Sequence, residues 1–175
     1  MTTLVVTKEA VYIDHRATRG PMMEDGHVKY VRWPKKDQIF FIVGKAQTSR
    51  DAINFLITGE WRDEETKNKF VGMEHGCEVI VLDSEGFVKF SELEWNDEKQ
   101  TVVVKSIGDV FTPEMESIYC LGSGSPFAYG AYHASNGNMD IVYRTINMIS
   151  GCTSASYDRV CRATRKIKTH KGIAC

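Results

Sequence analysis

Residues 3–14, with the sequence TLVVTKEAVYID, predict the first hairpin of the fold. Two runs rich in β-forming residues, Thr3–Thr7 and Ala10–Asp14, flank the polar pair Lys8-Glu9. The second run ends on an aspartate directly after three apolar residues, and a carboxylate buried at that point needs a charged partner. We therefore expect Asp14 to have a functional role, rather than to be only a turn residue at the end of a strand.

The residues before this hairpin, Met1 and Thr2, could provide a nucleophile at the N-terminus. Removal of Met1 would leave Thr2 with both a hydroxyl nucleophile and a free amine that can accept the hydroxyl proton. Because a free α-amine has a pKa of roughly 8, part of it is neutral near neutral pH. The alternative interpretation is that Thr2 belongs to an ordinary disordered start of the chain.

Beyond the hairpin, the pattern of apolar residues predicts alternating groups of strands and helices. The expected strands are Val28–Trp33, Gln38–Gly44, Glu78–Leu82, Phe87–Phe90, Thr101–Ile107 and Ser117–Leu121. The expected helices start near Ser49 or Asp51 and end at Gly59, run from Ser125 to Asn136-Gly137, and cover Met139–Ile149. The polar segment Glu60–Gly76 is expected to be a loop with at most a short helix. This order predicts a layered α+β domain.

Length and composition favour one soluble domain that covers residues 1–175. A chain of this length can bury most of its apolar surface in one core. Its apolar fraction of 42% and charged fraction of 26% are typical of soluble globular proteins. There is no run of about 18 apolar residues, and the N-terminus lacks the basic-then-apolar layout of a signal peptide. We therefore expect a cytoplasmic protein without a membrane span.

The five cysteines are scattered, and none forms a C-x-x-C pair. This spacing supports neither a zinc site nor a redox motif, so reduced thiols are expected. His75 and Cys77 could form a pair of metal ligands, but we interpret them as a loop histidine beside a strand cysteine. No metal and no cofactor is expected.

The net charge of −1 is unevenly distributed along the chain. From Arg159 onward there are six Lys or Arg residues and no Asp or Glu. A basic tail can bind nucleic acid or an acidic partner, but no aromatic residue follows Tyr157, which weighs against binding of nucleic acid. We expect a basic C-terminal tail from about residue 159 that forms a solvated terminal helix or frays.

Four stretches together resemble β-type subunits of the proteasome family, closest to its bacterial proteasome-like peptidases. The first two are the threonine start at residues 2–6 and the segment Asp14-His15-Arg16-Ala17-Thr18-Arg19-Gly20, which is similar to the family's D-x-R-A-T-x-G. The others are Val43-Gly44-Lys45-Ala46, before a helix, and residues 121–130, which are similar to the family's G-S-G-x-x-[FY]-A. Each motif alone is weak, whereas their order and spacing along residues 2–150 are specific.

This resemblance implies a fold, an activity and an assembly. The fold would be the four-layer α-β-β-α sandwich of N-terminal-nucleophile hydrolases, and the activity a threonine-type endopeptidase that cleaves polypeptides inside a closed homo-oligomeric ring. An ATP-dependent unfoldase is an implied partner, whereas nucleic acid and membrane are not.

The resemblance also assigns roles to five residues. Thr2 is the nucleophile, Lys29 supplies a cation beside its hydroxyl, and Asp14 pairs with Lys29 and orients it. Ser123 binds the Thr2 amine or a catalytic water, and the backbone N–H of Gly44 stabilises the oxyanion. A tight strand-to-helix turn is a second interpretation of the segment around Ser123, and both can hold.

Two departures from the family keep other interpretations open. The family's lysine stands one residue further from the aspartate, where this chain has Tyr30, so that Lys29 could face the opposite side of the sheet. The family's loop aspartate after the fourth helix is also missing, because residues 152–156 lack one and the next is Asp158. The alternatives are a catalytically silent structural subunit of the same fold and an N-terminal-nucleophile amidase that acts on a small substrate.

Overall fold

The computed structural model describes residues 2–19, 22–44, 46–111, 118–150 and 153–172. Several residues used in the sequence analysis lie outside these ranges, namely Met1, Gly20, Lys45, Ser117, Cys152 and Cys175. The described residues fall into two compact units. The terminal unit comprises those up to Lys29 and those from Ile118 onward, and the central unit comprises Tyr30 to Phe111.

Twelve β-strands and four α-helices are present in the described part of the chain. The strands are β1 (Thr3–Val6), β2 (Ala10–Asp14), β3 (Ala17–Arg19), β4 (Met22–Glu24), β5 (Tyr30–Trp33), β6 (Gln38–Ile42), β7 (Cys77–Leu82), β8 (Val88–Asn96), β9 (Thr101–Phe111), β10 (Tyr119–Gly122), β11 (Tyr157–Cys161) and β12 (Ile167–His170). The helices are α1 (Ala46–Thr58), α2 (Glu64–Val71), α3 (Ser125–Ala134) and α4 (Met139–Ser150).

The terminal unit is built on a five-stranded antiparallel sheet with the spatial order β10-β1-β2-β11-β12. Thr3 lies opposite Gly122, and Asp14 lies opposite Tyr157. Since neighbouring strands are antiparallel, the start of β1 and the end of β2 meet at the same edge of the sheet. This edge carries the residues at the two ends of the predicted first hairpin.

Helices α3 and α4 cover one face of this sheet. Val142, Tyr143 and Ile146 of α4 are fully buried and pack in one cluster with Val5 of β1 and Tyr157 of β11. Their spacing places them on one face of the helix, so that α4 turns an apolar stripe towards the strands. Burial of each such side chain contributes about 1.5–3 kcal/mol to the stability of the fold. This packing fixes α4 over the edge of the sheet that carries Thr3.

The central unit is a second five-stranded antiparallel sheet, in the order β5-β6-β7-β8-β9. Phe40 and Val79 of this sheet pack with Ala52 and Ile53 of α1 in a separate apolar cluster, to which α2 contributes Phe70. The helices therefore cover one face of the sheet, and their cluster forms the core of this unit.

Most of the predicted elements are present, with shifted ends. The short helix allowed in the segment Glu60–Gly76 is α2, whose first turn begins where Asp63 accepts a hydrogen bond from the Thr66 amide at 2.7 Å. Helix α1 begins at Ala46, so Ser49 is a buried residue inside it and not its cap. The strand predicted over Phe87–Phe90 instead runs from Val88 to Asn96. Its second half alternates polar with apolar residues, which hid the strand from a search for apolar runs.

The predicted helical or frayed C-terminal tail is wrong. The residues from Tyr157 to Cys161 form β11 against β2, and the basic segment Ile167–His170 forms β12 against β11. Positive side chains occur in these strands because only alternate residues need to face the core. Val160, for example, is buried between the half-exposed Arg159 and Cys161.

The fold class is therefore α+β, with two five-stranded antiparallel sheets and four helices in the described residues. No helix in this part of the chain is both long enough and apolar enough to cross a membrane.

Candidate active site

The start of β1 is held close to the end of β10 by backbone contacts. The Thr2 carbonyl accepts a hydrogen bond from the Ser123 amide at 3.1 Å, and Thr2 is only 8% exposed. Gly122, opposite Thr3, has a φ of +95°, and a Cβ at this position would collide with the Thr2 carbonyl. Glycine is therefore required here both by the left-handed backbone and by the close approach of β1.

Asp14 is the centre of the site. It is fully buried at the end of β2, and its oxygens accept hydrogen bonds from four donors. Oδ1 accepts from the Thr3 amide at 2.8 Å and from Lys29 Nζ at 2.9 Å, whereas Oδ2 accepts from the amides of Arg16 at 2.9 Å and Ser154 at 3.3 Å. A carboxylate offers about four acceptor positions, so these donors satisfy the buried group.

Lys29, and not Tyr30, is the side chain that reaches Asp14. Lys29 is 5% exposed and precedes β5, so the alternation of side chains along that strand does not determine its direction. Tyr30 begins β5 and is half-buried, with its ring centroid 6.4 Å from that of Phe41. The pairing of Asp14 with Lys29 that the family resemblance implies is confirmed.

Burial is the largest influence on the charge of Lys29. It lowers the pKa of Lys29, and the charge and hydrogen bond of Asp14 oppose this effect only in part. Asp14 Oδ1 accepts hydrogen bonds from both the Lys29 ammonium and the Thr3 amide. Because the two nitrogens bind the same oxygen, they lie close to each other. A cation with a lowered pKa therefore lies beside the first peptide bond of β1.

Ser123 contacts Thr2 through its backbone, while its side chain is exposed. The segment from Gly122 to Gly124 is a tight turn from β10 into α3, as the second interpretation of this motif expects. Gly44, the predicted oxyanion donor, is an exposed residue of the central unit, shortly after β6, with a φ of +89°. The structure thus brings Thr2, Asp14, Lys29 and Ser123 together within the terminal unit.

The sequence analysis missed a buried hydroxyl pair at the same edge. Thr3 Oγ1 lies 2.5 Å from Thr153 Oγ1 and accepts a hydrogen bond from the Gly124 amide at 3.2 Å. A Cβ on Gly124 would collide with the Thr3 hydroxyl and with the Ile146 side chain, so this glycine is needed for a close approach. The second threonine of the start and the second glycine of the Gly-Ser-Gly motif were the available signals. Their partner, Thr153, is 150 residues away from Thr3.

Asp158 does not take the place of the missing loop aspartate. Its Oδ2 lies 2.8 Å from His15 Nε2, and its Oδ1 accepts a hydrogen bond from Thr169 at 2.6 Å. Burial alone would raise the pKa of Asp158, but the contacts with His15 and Thr169 outweigh it and lower that pKa. These contacts tie β2, β11 and β12 together, so both oxygens of Asp158 have structural partners.

His75 and Cys77, the pair that the sequence analysis weighed as metal ligands, lie in the described part of the chain. No group of three His, Cys, Asp or Glu side chains there is arranged to hold an ion. Cys77 is buried in β7 and directs its thiol to the Met73 sulfur at 3.8 Å, while His75 is exposed in the preceding loop. This arrangement agrees with a loop histidine beside a strand cysteine.

No known protein-family model matches this chain, and no curated protein matches it.

Proposed function

We propose that this chain is an N-terminal threonine peptidase in which Thr2 becomes the nucleophile after removal of Met1. The observation that carries the proposal is the Asp14 carboxylate. One of its oxygens holds both the Lys29 ammonium and the amide that joins Thr2 to Thr3. This shared oxygen supports a role for Lys29 as the cation beside the Thr2 hydroxyl.

In the proposed reaction, the Thr2 hydroxyl oxygen attacks a peptide carbonyl carbon while the free Thr2 amine accepts the hydroxyl proton. The peptide C–N bond then breaks, the proton passes from the amine to the leaving nitrogen, and an ester joins the acyl group to Thr2. Water hydrolyses this ester and restores the hydroxyl, with the amine again acting first as base and then as acid. The Lys29 ammonium stabilises negative charge on the Thr2 oxygen, and the role of Gly44 as oxyanion donor comes from the family resemblance alone.

The proposal extends to fold, assembly and location. Two antiparallel sheets and four helices are compatible with the four-layer α-β-β-α sandwich of N-terminal-nucleophile hydrolases. A single threonine nucleophile selects little among substrates, so enclosure in a homo-oligomer would restrict access to unfolded chains. We propose a cytoplasmic ring that receives polypeptides from an ATP-dependent unfoldase.

The first experiment combines mass spectrometry with a substitution. The intact mass should show loss of Met1, and a hydroxyl-directed peptide inhibitor should form an adduct on Thr2. Thr2→Ala should lower hydrolysis of a peptide substrate by at least about a thousandfold, because it removes the attacking oxygen. Thr58→Ala, at an exposed threonine that ends α1, should retain the wild-type rate. Undiminished hydrolysis by Thr2→Ala contradicts the proposal.

The second candidate is a catalytically silent subunit of the same fold. It is favoured by the lack of the family's loop aspartate at residues 152–156. The next aspartate, Asp158, contacts His15 and Thr169 instead. The mass measurement separates the two functions, because a retained Met1 blocks the Thr2 amine and excludes the peptidase. A protein that has lost Met1 but forms no adduct is also a silent subunit.

A further inference from the structure

A second ion pair lies directly beside the pair of Asp14 and Lys29. The amide of Arg16 donates to Asp14 Oδ2 at 2.9 Å. The guanidinium of the same residue holds both oxygens of Asp25, with Nε 2.8 Å from Oδ1 and Nη2 2.9 Å from Oδ2. Such a two-pronged contact fixes the orientation of both groups, even though the Asp25 side chain is half exposed. Arg16 thus connects the two carboxylates.

Ser154 makes a second connection between the same carboxylates. Its amide donates to Asp14 Oδ2 at 3.3 Å, and its side chain is among the groups that lower the pKa of Asp25. The pKa of Asp25 is lowered by its hydrogen bond to Arg16, against an opposing effect of burial, and the Arg16 charge, Ser154 and the His15 charge lower it further. Ser154 itself is only 2% exposed. Asp25 is therefore a negative charge held by the same residue, Arg16, whose amide binds Asp14.

The ion pair of Arg16 and Asp25 is connected to Lys29 through Asp14, whose Oδ1 accepts from the Lys29 ammonium and whose Oδ2 accepts from the Arg16 amide. After burial and the two effects of Asp14, the next influences on the pKa of Lys29 are the charge of Asp25, which raises it, and the charge of Arg16, which lowers it. Two members of one ion pair thus have opposing effects on one ammonium. Variants that remove the two charges one at a time therefore distinguish an electrostatic effect on Lys29 from loss of the contact itself, because either variant breaks the same contact.

We propose that Arg16 and Asp25 are positioning residues that set the pH range over which Lys29 stays charged, Asp25 extending the range and Arg16 shortening it. The consequence for catalysis rests on the proposed peptidase function, in which Lys29 must remain an ammonium beside the Thr2 hydroxyl. The effect on the charge of Lys29 holds whether or not the chain is a peptidase. In the peptidase, loss of the Lys29 proton limits the rate at alkaline pH, so the pair would set the alkaline limb of the activity profile.

The test measures the pKa of Lys29 by NMR, from the titration of its side-chain 13Cε signal in the full chain, assigned with Lys29→Met. Asp25→Asn should lower this pKa, because the Arg16 charge is then uncompensated. Arg16→Gln should raise it, because the Asp25 charge then acts alone, and the double variant should lie between the two single variants. Arg16→Lys keeps the positive charge without the two-pronged contact, so it should change the pKa less than Arg16→Gln does.

The exposed pair Glu65 and Lys69 on α2 provides the matched control. Glu65→Gln and Lys69→Gln change the net charge by the same amounts as the test variants and should leave the pKa of Lys29 unchanged. Shifts of the same sign in Asp25→Asn and Arg16→Gln, or no shift in either, overturn the inference. Asp25→Ser replaces Asp25→Asn where the latter does not fold.

The activity arm separates this inference from the proposed function. In an active enzyme, the alkaline limb of kcat should move to lower pH in Asp25→Asn and to higher pH in Arg16→Gln, with KM little changed. Opposite pKa shifts without hydrolysis by any form refute the peptidase and leave the inference standing. Hydrolysis by all forms with no shift of the limb refutes the inference and leaves the peptidase standing.

Discussion

Two aspartate–lysine pairs with nearly the same geometry behave in opposite ways. In the terminal unit, Lys29 Nζ lies 2.9 Å from Asp14, and in the central unit Lys89 Nζ lies 2.8 Å from Asp83. The side chains of the first pair are 5% and 0% exposed, whereas those of the second are 35% and 12% exposed. The difference between the pairs therefore lies in their access to water rather than in their distance.

This difference reverses the direction of the lysine pKa. For Lys89, the hydrogen bond from the ammonium to Asp83 is the largest influence and raises the pKa. For Lys29, loss of water is the largest influence and lowers the pKa in spite of Asp14. A surface ion pair stabilises the charged lysine, while a buried pair makes the charge costly unless every partner is present. Of the two pairs, only the buried one contains a lysine with a lowered pKa, which is the lysine that the proposed catalysis uses.

The largest expected effect comes from removal of one charge from each pair. Asp14→Asn should lower the free energy of unfolding by about 3–5 kcal/mol, because it leaves the buried Lys29 ammonium without its counter-charge. Asp83→Asn keeps an acceptor oxygen for the turn and leaves a lysine that water can reach, so it should cost about 1 kcal/mol or less. Urea denaturation near neutral pH measures both. Equal losses would show that burial does not distinguish the two pairs.

A double-mutant cycle should give an intermediate effect. Asp14→Asn combined with Lys29→Met removes both charges and should be more stable than Asp14→Asn alone by about 1–3 kcal/mol. The same cycle on Asp83 and Lys89 should give a coupling energy of about 1 kcal/mol or less. The measurement is again the free energy of unfolding, taken for all members of both cycles. A double variant that is less stable than Asp14→Asn would mean that Lys29 supports the fold mainly by packing.

The buried pair was predictable from the sequence in part. Asp14 was recognisable because an aspartate directly after an apolar strand requires a partner, and the resemblance supplied Lys29. The spacing of the motif left open whether Lys29 or Tyr30 faces Asp14. The start of β5 at Tyr30 decides this, because Lys29 then lies before the strand and does not follow its alternation. Thr153 and Ser154 could not be placed, because they contact Thr3 and Asp14 across 150 and 140 residues, which depends on the packing of α4.

The fold was predictable where strands are apolar and not where they are mixed. The first hairpin follows from its two runs of β-forming residues, α3 from its Ser-Pro start, and α4 from the spacing of its apolar residues. Strands β11 and β12 do not, because Arg159 lies directly opposite Lys168, and like charges facing each other argue against pairing of strands. Tertiary contacts override this local cost, since β11 also pairs with β2 along its whole length.

The smallest expected effect is a difference between the two pairs in how the free energy of unfolding depends on pH. The folded-state pKa of Lys29 lies below the ordinary value of 10.5, so between these two values the unfolded chain holds more protons, and wild-type stability rises with pH. The folded-state pKa of Lys89 lies above 10.5, so the stability that its charge contributes is complete below that value and is lost as pH rises through the folded pKa.

Unfolding free energies of wild type, Lys29→Met and Lys89→Met from about pH 8 upward test this difference. Relative to Lys29→Met, wild type should gain stability as pH approaches 10.5, whereas relative to Lys89→Met it should gain none. Parallel profiles would mean that the two ammonium groups meet the same environment, and the contrast between buried and exposed pairs would not hold.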